Sequence, residues 1–273
     1  MPGGYDELYV RARRALLDAL EALGEQRTAA VLVGAQAVYV HTGEAALAVA
    51  PFTSDADLAF DPALLAPEPQ LAEAMTRGGF HLQEGNAGIW RSNRDDVTVD
   101  LLVPEAQSGR GRRSASLPAP HGNRVAQRSR GLEGALADHR EHDIAALEDS
   151  DQRHFTVAVA GPAALLVAKL HKLADRRGDS GRLNAKDALD VLRLLQAIET
   201  VALADGIHIL LNDARSASVT REAIGLLGEL FGVGTAQGTH LVVDAVAGVE
   251  DPEPLVQSCV ILANDLLAAL SES

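Results

Sequence analysis

Asp55-Ala-Asp57 opens a short apolar run. Side chains two apart on a strand share one face, so both carboxylates can converge on one cation. Asp100 interrupts a second apolar run, Val99 to Val103, where a carboxylate is costly unless something cationic meets it. Three carboxylates from neighbouring strands form a hard oxygen set suited to Mg²⁺, which binds through a few carboxylates plus substrate phosphates. Two such ions would orient a triphosphate for an in-line displacement. Each piece also has an ordinary use. Aspartates cluster in turns and caps, and Asp100 can equally be a solvated residue on an edge strand.

Upstream, a short β-like run from Ala29 to Val33 stops at Gly34-Ala35, and a short helical stretch follows to His41. A strand, a glycine turn and a helix start present backbone N–H groups where phosphates bind. Of the 24 basic residues only three are lysines, Lys169, Lys172 and Lys186, all within 18 consecutive positions. Compositional drift or a demanding anion site both account for that clustering, since Arg and Lys differ mainly where geometry is exacting. Lys169 sits at the edge of the apolar stripe Leu166–Leu170–Leu173. It either snorkels to water or emerges toward a cleft that suits a triphosphate. Lys186, Asp190 and Arg193 share a helical stripe that reads as a surface ion ladder. Asp187 lies beside the apolar face Ala188–Val191–Leu192–Leu195 and is the better candidate to point inward, or else a solvated helix-start carboxylate.

The chain has 273 residues, 47% hydrophobic and 23% charged, with a mean hydropathy near zero. That profile fits one large or two modest globular domains. The nearly apolar run Phe155 to Ala168 is broken by Gly161-Pro162 and is too short to span a bilayer. Met1 to Glu7 carries neither the basic nor the apolar region of a secretory signal, so the expected setting is cytoplasmic, with no membrane partner. One cysteine, Cys259, excludes an intramolecular disulfide and a cysteine-rich zinc site. The histidines give no defensible metal spacing: His139 and His142 read as a solvated helix face. The formal net charge is −14, yet residues 105–131 carry six arginines against Glu105 alone. An acidic body with one basic segment points to a local anion site rather than a general nucleic-acid coating.

The elements that must position these residues follow from periodicity. Helices are expected at Tyr5–Leu23, Pro67–Gly78, Pro162–Arg176, Ala185–Glu199, Thr220–Phe231, Gly238–Ala247 and Pro254–Ser271. Strands are expected at 29–33, 57–60, 80–83, 88–91 and 97–103, the last two joined by a hairpin turn at Ser92–Asp96. Residues 104–131 read as a long Gly/Ser/Pro/Arg loop, either functional or disordered.

Gly34-Ala-Gln-Ala-Val, Thr53-Ser-Asp55-Ala-Asp57, Val99-Asp100-Leu-Leu-Val-Pro, Lys169-Leu-His-Lys-Leu-Ala-Asp-Arg176 and Lys186-Asp-Ala-Leu-Asp190 occur in that order between about residues 30 and 195. As a set they resemble the AbiEii/MenT-like nucleotidyltransferases, toxin components of bacterial toxin–antitoxin and abortive-infection systems. The resemblance implies an α+β fold: a DNA-polymerase-β-like mixed sheet with flanking helices, then an all-helical C-terminal domain. The expected division is a nucleotidyltransferase core at 1–104, an Arg-rich loop at 105–131, a segment completing the core at 132–160, and a helical domain at 161–273. It implies two Mg²⁺ ions, a nucleoside triphosphate substrate, and an RNA acceptor, the 3′ end of tRNA in characterised members. By the same resemblance Asp55 and Asp57 match the paired metal carboxylates, with Asp100 in the third-carboxylate position. Lys169 matches the lysine that contacts the nucleotide, and Asp187 an aspartate of the catalytic centre. Gly34, Ala35, Thr53 and Arg176 complete the expected nucleotide-binding set. Thr53 also occupies the position that kinase-like antitoxins of some systems phosphorylate. The chain departs from the wider pattern twice. Ala35 replaces a serine, and Val49-Ala-Pro-Phe52 lacks the basic residue common before the Asp-x-Asp. Two other readings stay open: nucleotidyl transfer to a protein or small molecule, and a non-catalytic nucleotide-binding module.

Overall fold

The computed structural model describes residues 6–43, 52–109, 112–177, 182–247, 249 and 251–271. Asp6 caps the first helix, α1 (Glu7–Leu23), by accepting the Leu8 N–H at 2.8 Å. Tyr5, expected inside that helix, lies outside the described residues, as do Arg110 and the Val49–Pro51 stretch. The chain then runs β1 (Ala30–Val33), α2 (Gly34–Thr42), β2 (Asp55–Phe60), α3 (Leu71–Arg77), β3 (Phe80–Leu82), β4 (Ile89–Ser92) and β5 (Thr98–Pro104). Strands β6 (Gln127–Ser129), β7 (His139–Ala145) and β8 (His154–Ala160) follow. After them come only helices: α4 (Pro162–Asp175), α5 (Arg182–Ala197), α6 (Thr200–Asn212), α7 (Ala217–Phe231), α8 (Gln237–Ala245) and α9 (Pro252–Ser271). The fold is α+β, a mixed sheet with helices over residues 7–160 and an all-helical region over 162–271.

The sheet order is β3-β4-β5-β2-β1-β8-β7, with β6 paired to the far end of β5. Strand β2 lies antiparallel to β1 and parallel to β5, and the register sets Asp57 directly opposite Asp100. The central strands are apolar because both faces are covered: Leu32, Leu58, Val99 and Leu101 are fully buried. Helix α1 packs against α3 and β2, whereas α2 packs against α4 and α5. The helical region is thereby fixed to the sheet on the side where β2 begins.

Three expectations change. Residues 105–131 are not a bare loop: Ala115, Leu117, Val125 and Ala126 are buried, Ser114 bridges Gln127, and Trp90 Nε1 donates to the Val125 carbonyl at 2.9 Å. Four scattered apolar residues anchor that segment, too few to show a period. His139 and His142 belong to strand β7, not to a helix face, and the His142 ring meets His41 edge-on at 5.3 Å. Strand β8 and helix α6 emerge where no element was assigned. The apolar run of β8 merges into α4, and α6 is apolar on more than one side. Among the described residues, α9 has the length and hydropathy to cross a membrane. It buries Leu255, Cys259, Ala263 and Leu266 and packs against α6, α7 and α8.

Candidate active site

A cleft of about 400 Å³ opens where β1, β2 and β5 face α4. Asp55, Asp57, Asp100 and Gly34 line its sheet wall; Lys169, Lys172 and Arg176 line its helical wall. Gln127, Arg128 and Arg130 close the edge. A larger hollow of about 540 Å³ between α1 and α3 is lined by Asp18, Glu21, Glu25 and Arg77 and shares no residue with this cleft.

The sheet wall is made by register. Asp55 and Asp57 project from one face of β2, and Asp100 sits beside Asp57 on the parallel neighbour. Burial and then the Asp55 charge push the Asp57 carboxyl up to about 6. Burial, then Asp57, then Asp55 push Asp100 up to about 8. Asp100 Oδ2 accepts from Gln127 Nε2 at 3.3 Å, and its Oδ1 is buried without a partner. Asp55 differs. Burial raises it, but the Lys186 ammonium at 3.8 Å and the Thr53 hydroxyl at 2.6 Å outweigh that and hold it below the usual carboxylate range. Gly34 is dictated by this wall: φ is +69°, and a Cβ there would stand 1.9 Å from Asp57 Oδ2.

Among the described residues no three acidic, histidine or cysteine side chains close up as a finished metal cage. The donor set nevertheless fits a hard divalent cation. Asp57 and Asp100 supply adjacent carboxylate oxygens, one of them an orphan, and their mutual repulsion is what a cation would relieve. Asp55 is the third donor on the same face, meanwhile engaged by Lys186.

The helical wall is built differently. Lys169, Lys172 and Arg176 follow one face of α4 toward its C-terminal end, where cations complement the helix dipole. Lys169 is 4% exposed, and its Nζ donates to Asp187 Oδ1 at 2.6 Å and Asp190 Oδ2 at 2.7 Å. Burial lowers its pKa, but these two carboxylates more than offset that and hold the ammonium firmly charged. Asp187 also faces Lys172 at 3.4 Å and Arg176 at 3.5 Å. Burial raises its carboxyl; the surrounding cations, Lys169 first, pull it down to about 2. An anion so surrounded is a weak proton acceptor.

The structure thus gathers Asp55, Asp57, Asp100, Gly34, Lys169 and Arg176 around one cleft. It sets Asp187 behind the helical wall, Thr53 fully buried beneath Asp55, and Ala35 in the core. The ion ladder expected on the surface of α5 is overturned: Asp190 and Arg193 are 1% exposed, and Lys186 donates to Thr53 Oγ1 at 2.8 Å. The stripe exists, but side chains of α2 and α4 and the segment before β2 meet it: Lys169 pairs with Asp190, Arg193 lies over the Tyr39 ring and Lys186 reaches Thr53. Sequence reasoning missed Asp190, Lys186 and Gln127 as site residues. The lysine clustering was the signal that could have found Lys186, and Asp190 follows Asp187 by one helical turn.

A family model described as "Nucleotidyltransferase" matches residues 11–218, from α1 through both walls of the cleft into α7. No curated protein matches the chain. A crystal structure of an antigenic nucleotidyltransferase-like protein from Paracoccidioides brasiliensis is similar at 13% identity and a TM-score of 0.34, over 78% of this chain and 93% of that one.

Proposed function

The chain belongs to the nucleotidyltransferase family, and on that premise we propose that it transfers a nucleoside monophosphate from a nucleoside triphosphate to an RNA 3′ hydroxyl, the tRNA acceptor end above all. The observation that carries this reading is the two-walled cleft, three carboxylates on strands facing a row of cations on a helix. Asp55, Asp57 and Asp100 would hold two Mg²⁺ ions, which supply charge neutralisation and fix the phosphate oxygens for in-line attack. The cationic wall takes the negative charge of the triphosphate and of the departing pyrophosphate. The acceptor oxygen forms its bond to the α-phosphorus as the bond from that phosphorus to pyrophosphate breaks. Asp187, facing three cations, orients them; the acceptor's proton is left to a group on the sheet wall.

The RNA acceptor draws support from the exposed Arg112, Arg113 and Arg124 and the cleft-edge Arg130, all close in sequence to β6, which borders the cleft. The order of motifs also supports a toxin role with a cognate antitoxin. Thr53 is fully buried, so phosphorylation there requires the segment before β2 to open first. The net charge of −14 favours a second reading, in which the acceptor is a protein or small molecule.

Incubation of the purified chain with each labelled nucleoside triphosphate, Mg²⁺ and total RNA or a nuclease-treated extract separates these readings. The expected result is label at RNA 3′ ends, lost in Asp55→Ala. Label confined to protein or small molecules moves the acceptor, and no label in any fraction leaves a non-catalytic module.

A further inference from the structure

Lys169 and Lys172 line the cleft and Lys186 pairs with one of its carboxylates, so the three lysines are not equivalent. The ammonium of Lys169 is enclosed by Asp187 and Asp190, with only 5% of its side chain exposed. Turning it toward a ligand would break two buried charge-assisted hydrogen bonds and strand Asp190. Lys186 is engaged by Thr53 and Asp55 on the opposite wall. Lys172, one turn along α4 from Lys169, lines the cleft with 41% of its side chain exposed. Among the described residues its anionic partner is Asp187, at 3.4 Å, a single carboxylate shared with Lys169 and Arg176.

Asp187 is the carboxylate that all three cations of this wall share, and the two of them that reach the cleft are Lys172 and Arg176, because Lys169 is enclosed. The Lys172 charge also acts across the opening on Asp57 and Asp100. Across the opening, Arg128 is held by Glu105 at 2.9 Å and the Gly109 carbonyl at 3.0 Å, and Arg130 by Glu222 at 2.5 Å.

We propose that Lys172, with Arg176 one turn further on, is the phosphate-binding residue of the cleft. Lys169 is then a positioning residue: it fixes Asp187, and Asp187 aims the other two cations. This assignment rests on the nucleotidyl-transfer reading, which requires a polyphosphate against the helical wall. It moves the nucleotide-contacting role from Lys169, where the family resemblance puts it, to the lysine three residues later.

Calorimetric titration of the full chain with inorganic triphosphate and Mg²⁺ tests the assignment without turnover, with thermal melts run in parallel. The expected result is an affinity loss of about tenfold or more in Lys172→Met, the loss of one hydrogen bond to a charged group. Lys172→Arg should stay within about threefold, since either cation serves a phosphate oxygen. Both variants should melt close to the wild type, because the side chain is half-exposed. Wild-type affinity in Lys172→Met overturns the assignment, and so does weakened binding that only accompanies a lower Tm shared by Lys172→Arg. A wild-type chain that binds no Mg-triphosphate fails differently: it removes the nucleotidyl-transfer reading itself.

Discussion

The two walls of the cleft solve opposite electrostatic problems. On the sheet wall Asp55 pairs with Lys186, while the other two carboxylates are held above the ordinary carboxylate range, Asp57 at about 6 and Asp100 at about 8. On the helical wall Lys169 is paired from within by Asp187 and Asp190, and Asp187 is pulled down to about 2. The sheet wall therefore carries a repulsion that a bound cation would relieve, while the Lys169 cluster of the helical wall is part of the fold. Residues on the first should matter for chemistry and those on the second for stability, with Lys172 and Arg176 as the exceptions that face the cleft.

The sharpest way to break this contrast is to swap the expected losses. Lys169→Met leaves Asp190 and Asp187 buried without their main partner and should lower the unfolding free energy by about 3–5 kcal/mol, read from urea titration. Asp57→Asn should cost on the order of 10²–10³-fold or more in nucleotide incorporation. Its urea midpoint should stay at or above that of the wild type, because the change removes a repelling buried charge. A fold collapsed by Asp57→Asn, or untouched by Lys169→Met, would erase the distinction.

That contrast was half legible in the sequence. Asp55-Ala-Asp57 and Asp100 announced themselves because carboxylates in apolar strand runs break a pattern. Their pairing across β2 and β5 was hidden, since register depends on contacts 43 residues apart in the chain. Lys186, Asp190 and Arg193 carried the right helical spacing but the wrong environment was inferred. Periodicity says which side chains share a face; it does not say what covers the face. Here α2 and α4 do, and the Asp190 and Arg193 of a stripe resembling a solvated ladder are interior. The missed β8 shows the same limit along the chain, where an apolar run crossing Gly161-Pro162 holds the end of a strand and the start of a helix.

A gentler test uses pH. A carboxyl whose pKa is higher in the folded state binds more protons there than in the unfolded chain, where it titrates near 3.9. Asp57 and Asp100 therefore cost stability as pH rises from about 4 through about 6 and about 8. Metal-free protein should lose Tm across that window, and Asp100→Asn should flatten the loss. Added Mg²⁺ should raise Tm more at about pH 8 than at about pH 5, because the carboxylates must be ionised to bind it. An equal Mg²⁺ effect at both pH values would place the cation elsewhere than on this wall.

The smallest expected effect lies beyond both walls, on the exposed arginines that precede β6. Arg112 and Arg113 touch neither the carboxylates nor the Asp187 cluster, so their replacement by alanine should leave Mg-triphosphate affinity unchanged. If they hold the acceptor strand, each should remove about 0.7 from the slope of log affinity against log salt for single-stranded RNA, with a loss of only a few-fold at moderate ionic strength. The salt slope is the discriminating measurement. A merely structural pair of arginines would lower Tm and weaken triphosphate binding with it, whereas an RNA contact changes the slope alone. A full slope retained in the double variant would assign RNA attraction to Lys172, Arg176 and Arg130 at the cleft, making the helical wall the holder of both substrates.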